Sequence, residues 1–190
     1  MAVGGIGPHW SKKGASLRGL GLLILTLLVM TGCTFGFEPP TPGAMTPVPD
    51  VPEIEGESAR VTRVIDGDTI DVEINGVTYR LRYIGANTPE LDEPCYADAR
   101  AANERLVRNQ TVTLVRDRSE TDRFGRLLRY VYVNGTFVNA RLIEEGWAEV
   151  VLYPPDSAHY DELRALEGQA AAQNLGCHPT GIFNDGSDTR

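Results

Sequence analysis

Alternating apolar and polar positions open the region that the sequence predicts to fold. Residues 59–65 and 69–74 both alternate β-branched with polar side chains, as half-buried strands do. A turn, Asp66-Gly67-Asp68, separates them. Asn75-Gly76 is a strong hairpin signal and leads into a third strand-like segment, residues 77–84. The pattern therefore predicts a three-stranded meander.

Later segments mix helical and strand spacing. A helix is predicted over residues 94–109, with one apolar side made of Ala97, Ala101, Leu106 and Val107. A short helix follows from about residue 138 to 145, and a last one covers residues 159–174, with a buried side made of Tyr160, Leu163, Leu166 and Ala170. Strands are predicted at residues 111–116 and 127–133, and residues 148–153 are extended. Five or so strands with three helices predict a small Greek-key barrel, although periodicity alone leaves other α+β barrels open.

The N-terminal part has a different character. A basic start is followed by the apolar run Leu20–Met30, which is too short to span a bilayer comfortably and suits a signal peptide over residues 1–32. The run ends in Met30-Thr31-Gly32-Cys33, which resembles a bacterial lipobox. That resemblance implies cleavage before Cys33 and a lipid on its thiol. An ordinary signal peptide and an uncleaved anchor remain the alternatives.

Composition divides the rest of the chain. Residues 33–57 are rich in proline, threonine and acid, which predicts a semi-extended tether. Residues 58–180 form the predicted folded domain, and the polar residues 181–190 a disordered tail. Cys95 and Cys177 remain as an even pair, and in an exported domain they predict a disulfide. The competing interpretation is a metal site built from these cysteines with His159 and His178.

Charge argues against a protein that coats nucleic acid. The formal net charge of the chain is −8. The folded part, residues 60–183, carries 14 arginines, no lysine and 19 acidic residues. A sequence-independent coating protein is expected to be basic, whereas an enzyme needs positive charge only at its site.

Four ordered motifs carry the candidate chemistry. They are Val64–Thr69 with its two aspartates, Arg82 followed by Thr88-Pro89-Glu90, the segment Thr121–Arg126, and the segment Val138–Ala148. Each alone is ordinary turn or helix-start chemistry. Together and in this order they resemble the staphylococcal nuclease (thermonuclease) family, over about residues 59–176. The resemblance implies a five-stranded OB-fold barrel of the α+β, mainly β class, with about three helices.

The resemblance also implies a role for each matching residue. A calcium ion would be bound by Asp68, Asn87 and the carbonyl of Thr88, with Asp66 shaping its outer shell. Glu90 would orient or deprotonate the attacking water, and Arg82 and Arg126 would bind the scissile phosphate. Softer substrate contacts are expected from Arg123, Phe124, Tyr153 and Arg80. Tyr153 could equally be a half-buried strand tyrosine.

One position departs from the family pattern. Asn87 stands where the family usually carries aspartate, so one formal charge is missing from the expected calcium ligands. Fewer charged ligands weaken a calcium site. We therefore expect cleavage to need high calcium, and Asn87→Asp to bind calcium more tightly.

The sequence therefore predicts an exported nuclease that is lipid-anchored at the cell membrane or extracellular, and monomeric. It would hydrolyse single- or double-stranded DNA and RNA without sequence specificity and leave 3′-phosphate ends. Two alternatives remain: a barrel that binds nucleic acid but is catalytically weak or inactive, and an inert surface lipoprotein.

Overall fold

A computed structural model describes residues 54–184 of the chain. Eight strands are β1 (Glu57–Val64), β2 (Thr69–Ile74), β3 (Val77–Tyr83), β4 (Ala86–Asn87), β5 (Thr111–Val115), β6 (Leu127–Val133), β7 (Thr136–Phe137) and β8 (Glu149–Val150). Three helices are α1 (Tyr96–Val107), α2 (Val138–Glu144) and α3 (Tyr160–Ala172). The predicted meander and the strand at residues 127–133 are confirmed, with ends shifted by at most two residues.

Five strands close into a barrel. Their order is β3-β2-β1-β5-β6, and all four of these contacts are antiparallel. The barrel closes because β6 also pairs with β3, in parallel, with Leu81 opposite Leu127 and Arg82 opposite Leu128. This is the predicted OB-type barrel, and the closing contact joins the two segments that carry the predicted phosphate-binding arginines.

A buried amide stabilises that closing contact. Asn139, at the start of α2, is fully buried. Its side-chain amide donates to the carbonyl of Ile84, just after β3, and its oxygen accepts the N–H of Val131 in β6. One side chain thus satisfies two backbone groups, one directly after β3 and one in β6.

The helices cover the barrel and complete the core. Leu163 and Ala170 of α3 are buried, and Tyr160 and Leu166 pack against the core at its edge, as predicted. In α1 the predicted side was partly wrong. Ala97 and Ala101 are exposed, and the buried residues are Ala99, Ala102, Asn103 and Val107. The helix contains several alanines, so spacing alone did not define one apolar side.

A disulfide joins the start of α1 to the end of the domain. Cys95 lies one residue before α1 and is bonded to Cys177, which is completely buried. The predicted pairing is therefore present, and the alternative metal site built on these cysteines is wrong, because their sulfurs are bonded to each other. Beside the disulfide the chain crosses itself closely: the N–H of Cys177 donates to the carbonyl of Gly146, and a Cβ on Gly176 would lie 2.4 Å from that oxygen.

The edges of the domain differ slightly from the prediction. Glu57, predicted as the last tether residue, is the first residue of β1 and pairs with Leu114. Phe183, predicted in the tail, contacts the ring of His178. The predicted signal peptide, Cys33 and most of the tether lie outside the described residues, as do residues 185–190. Within residues 54–184, no helix is both long and apolar enough to cross a membrane.

Candidate active site

The turn between β1 and β2 presents a fully engaged carboxylate. One oxygen of Asp68, Oδ2, accepts the backbone N–H of Thr88 at 2.7 Å and its hydroxyl at 2.8 Å. The other, Oδ1, accepts the hydroxyl of Thr69 and lies 2.6 Å from Nη1 of Arg82. Asp68 thereby ties the first predicted motif to the second, and it is buried against both.

Arg82, near the end of β3, is 6% exposed and carries its charge into this site. Besides Asp68, its Nη1 donates to the carbonyl of Ala86 at 2.6 Å, and its Nη2 donates to Oδ1 of Asn87 at 2.8 Å. A buried guanidinium requires such acceptors, because an unpaired buried charge is costly. The site therefore fixes Arg82 at the edge of the barrel where β3 ends.

Asp66 lies directly behind this pair. Its Oδ1 accepts the backbone N–H of Asp68 at 3.0 Å, which fixes the turn. Burial, followed by the charge of Asp68, raises the pKa of Asp66 to about 6, although that N–H and Arg82 act in the opposite direction. The two acids therefore differ: Asp68 is paired with arginine, and Asp66 is held beside it in a less polar environment.

The second arginine lies in the turn before β6. Asp122 organises that turn, since its Oδ1 accepts the N–H groups of Phe124 and Arg126 and its Oδ2 lies 2.6 Å from Nε of Arg126. Burial raises the pKa of Asp122, but the hydrogen bonds from Arg126 and Phe124 outweigh it, and the net pKa is below its ordinary value. Phe124 is 68% exposed, with the guanidinium carbons of Arg123 and Arg126 at 4.7 and 5.5 Å from its ring centre. The turn thus presents an aromatic face between two cations.

A pocket of about 530 Å³ is lined both by Arg82 and by the turn before β6. Its lining includes six of the predicted site residues, namely Arg82, Asn87, Glu90, Arg123, Phe124 and Tyr153. Glu90 is exposed, and its backbone N–H is held by the carboxylate of Glu93 at 2.7 Å. A carboxylate, a buried arginine and an exposed aromatic ring in one open pocket form a site suited to a phosphate ester and a flat base.

Comparison with known proteins identifies the family. A family model described as staphylococcal nuclease homologue matches residues 80–177, half of the chain. The thermonuclease of Staphylococcus intermedius is 39% identical over 124 residues, which cover 62% of this chain and 71% of that protein. The chain belongs to the staphylococcal nuclease family. The thermonuclease of Staphylococcus hyicus is 36% identical over 120 residues (60% of this chain, 71% of that protein), and endonuclease YncB of Bacillus subtilis is 39% identical over 121 residues (60% and 57%).

The chain is thus a nuclease of this family, and its predicted site residues lie in two adjoining places. Arg82, Asn87 and Glu90 face the main pocket, with Asp66, Asp68 and Thr88 in the turns behind Arg82. Arg126 lines an adjoining shallow groove with Arg80, Phe124 and Asp71, where Arg80 is paired with Asp71 at 2.8 Å. The two spaces share Phe124, so Arg80 flanks the nuclease site through the groove.

The sequence analysis missed two buried polar residues of the nuclease site. Asn103 of α1 is fully buried, donates to the carbonyl of Asp66 and accepts the hydroxyl of Tyr83. Glu149 of β8 is 3% exposed, and its Oε1 accepts the amide N–H of Asn87 at 2.8 Å. The sequence indicates both positions, because each has a polar residue where the surrounding pattern is apolar.

The oxygen atoms near Arg82 are the candidate ligands of the predicted metal ion. Within residues 54–184, no three or more His, Cys, Asp or Glu side chains are placed to hold a metal ion. The predicted ligands are instead one carboxylate (Asp68), one amide oxygen (Asn87) and one backbone carbonyl (Thr88). Asp68 and Asn87 already direct an oxygen at a cationic group, the guanidinium of Arg82. These three ligands are all oxygen atoms, the donor type that calcium prefers. For Asp68 and Asn87 to bind the ion, it would have to replace the contacts that Arg82 makes with their oxygens.

Proposed function

We propose that this nuclease hydrolyses phosphodiester bonds of DNA and RNA in a calcium-dependent reaction that is independent of sequence and leaves 3′-phosphate ends. The observation that carries the proposal is the position of Arg82. It lies buried between Asp68 and Asn87 and lines the same pocket as Glu90, Arg123 and Phe124.

Two arginines would hold the phosphate. Planar guanidinium groups bind phosphate oxygens in pairs, and they stabilise the additional negative charge of the transition state. Arg82 is oriented by its buried acceptors, and Arg126 by Asp122. Both are therefore positioned before substrate arrives, which reduces the entropic cost of forming the transition state.

Calcium would be held by Asp68, Asn87 and the carbonyl of Thr88, with Asp66 fixing the turn behind them. When bound, the ion would neutralise phosphate charge and lower the pKa of nearby water. Asn87 removes one ligand charge from this set, so we expect half-maximal cleavage in the range of about 10⁻⁴ to 10⁻³ M calcium, as in other weak extracellular sites.

Glu90 would take the proton of the attacking water. Its carboxylate is exposed at the pocket and therefore accessible to solvent. General bases of this type contribute about 10²- to 10⁴-fold to rate. Phe124 and Tyr153 line the same pocket and would stack with bases of any sequence.

We also propose that the protein is monomeric and acts outside the cytoplasm, anchored through Cys33 or released. The disulfide between Cys95 and Cys177 supports export, because such bonds persist in oxidising compartments. Cys33→Ala tests the anchor: the variant is expected to move from the membrane fraction to the medium.

A cleavage assay tests the catalytic proposal. Single- and double-stranded DNA and RNA are incubated with the protein in calcium and in chelator, and the product ends are analysed. Cleavage is expected only with calcium, and Glu90→Gln is expected to lower the rate at least 100-fold. Asp92→Asn is the matched control, since it removes one exposed acid from the same loop and should leave the rate unchanged.

Three results would contradict the proposal. Cleavage in chelator would exclude calcium dependence, and saturation at low micromolar calcium would exclude the weak site. Substrate binding without cleavage in millimolar calcium would favour the inactive binding module.

A further inference from the structure

The strand pair behind the site places an acid against Asn87. Strands β4 and β8 form a small antiparallel sheet in which Asn87 lies directly opposite Glu149. Both side chains are buried, with 5% and 3% exposure, and Nδ2 of Asn87 donates to Oε1 of Glu149 at 2.8 Å. A buried carboxylate therefore lies directly against the Asn87 amide.

The two partners of Asn87 leave its amide one orientation. A guanidinium only donates hydrogen bonds and a carboxylate only accepts them. Arg82 therefore selects the oxygen of Asn87, and Glu149 selects its nitrogen. A reversed amide would place two oxygens against each other on one side and two N–H groups on the other. The oxygen is thus fixed toward Arg82.

The contact between Asn87 and Glu149 also concerns the negative charge that aspartate would carry at position 87. Aspartate at position 87 would bring its own negative charge to the ligand set, whereas Asn87 brings only a dipole. Glu149 places a carboxylate directly behind that dipole, which polarises the amide oxygen toward the site. Acids that hold a metal ligand from behind commonly alter metal affinity by about 10- to 100-fold.

We propose that Glu149 is a positioning residue that orients the Asn87 amide and supplies the negative charge that asparagine lacks. The part that concerns calcium rests on the proposed function, and the part that concerns orientation does not. The inference also reverses one expectation from the sequence. Asn87→Asp alone would set two buried carboxylates against each other, so it should weaken the site rather than strengthen it.

Four variants separate the contributions. Glu149→Gln keeps an oxygen for Asn87 and removes the charge, while Glu149→Ala removes both. Asn87→Asp creates the opposed carboxylates. The double variant Asn87→Asp/Glu149→Gln moves the charge to the ligand and reverses the hydrogen bond, so it should restore the pair. Glu167→Gln is the matched control, because Glu167 accepts the neighbouring N–H of Val150 and not the amide of Asn87.

Two measurements are made on each full-length variant. Calorimetric titration with calcium alone, without nucleic acid, gives the affinity. We expect about 10-fold weaker binding for Glu149→Gln, a larger loss for Glu149→Ala and Asn87→Asp, and recovery to within about 3-fold of wild type for the double variant. Thermal unfolding in chelator gives a calcium-free comparison, in which Asn87→Asp should lower the melting temperature and the added Glu149→Gln should restore it.

The outcomes are distinct for the two proposals. If wild type binds calcium and Glu149→Gln binds equally well, the charge is irrelevant and this inference is overturned. If the double variant is no more stable in chelator than Asn87→Asp, the positioning contact is refuted. If wild type binds no calcium at millimolar concentration, the calcium-dependent function fails. The unfolding data then decide on the positioning contact alone.

Discussion

Removing the disulfide should produce a large loss of stability. Cys95 and Cys177 are separated by 82 residues, so their bond closes a loop that spans most of the folded domain. In the chain-entropy treatment, a loop of that length lowers the entropy of the unfolded chain by about 15 cal/mol/K, or about 4.5 kcal/mol at 25 °C. For a domain of this size, that is a large share of a typical total of about 5–15 kcal/mol.

Urea unfolding followed by tryptophan fluorescence measures the effect, since Trp147 packs against the core close to the disulfide. The variant Cys95→Ala/Cys177→Ala should unfold about 2 M urea earlier than wild type, given a slope of about 2 kcal/mol per molar. Wild type treated with reductant should shift by a similar amount, although it keeps both sulfur atoms. Cys33→Ala is the control and should not shift the transition.

A loss below about 1 kcal/mol in both the variant and the reduced protein would refute the entropic reasoning. It would mean that the contacts between Gly146 and Gly176 keep the end of the chain in place without the covalent bond. A loss confined to the alanine variant would instead indicate a cavity at the buried Cys177 position.

Three further predictions concern single positions. Asn139→Ala should lower the free energy of unfolding, measured in urea, by about 2–6 kcal/mol. It leaves two buried backbone groups unpaired, at about 1–3 kcal/mol each. A loss below about 1 kcal/mol would contradict this prediction. Gly67→Ala should reduce nuclease activity far more than the control Gly168→Ala. A Cβ at Gly67 would lie 2.6 Å from the side chain of Thr88, whereas Gly168 faces open space. Equal activities of the two variants would argue against the close approach of Gly67 to Thr88. Asp156→Asn should destabilise at neutral pH by losing its charge-assisted bonds to two N–H groups. Burial raises the pKa of Asp156, but those bonds outweigh it and hold the pKa below its ordinary value of 3.8. The difference in stability between variant and wild type should therefore shrink as the pH falls below about 4. A difference in stability that is independent of pH would refute the assignment.

Most strands of the barrel were predictable because they carry strong local signals, whereas the closed OB-fold barrel followed from the family resemblance. Alternation and the turn at Asn75-Gly76 set the limits of the first three strands, and Asn75 adopts the positive φ that such a turn requires. The side of α1 was harder to predict. Its alanines fit more than one stripe, and the buried Asn103 interrupts the apolar pattern that would have marked the correct one.

The residues of the site were easier to predict from the sequence than the contacts between them. Motif order identified Arg82 and Glu90 as site residues, but spacing carries no information on which acid faces which base across the barrel. Strands β4 and β8 have only two residues each, too few for a periodic pattern, so the pairing of Asn87 with Glu149 was invisible in the sequence. Such pairings depend on tertiary packing and not on local propensity.

The parallel contact between β3 and β6 has a consequence for the order in which the chain folds. Arg82 lies in one of these strands and Arg126 directly precedes the other, so the segments that carry them become neighbours only when the barrel closes. Pairings between distant segments form slowly, because the loop between them must first be ordered. A newly made chain with its local hairpins formed therefore still lacks a phosphate site. Nuclease activity should therefore be the last property to return on refolding.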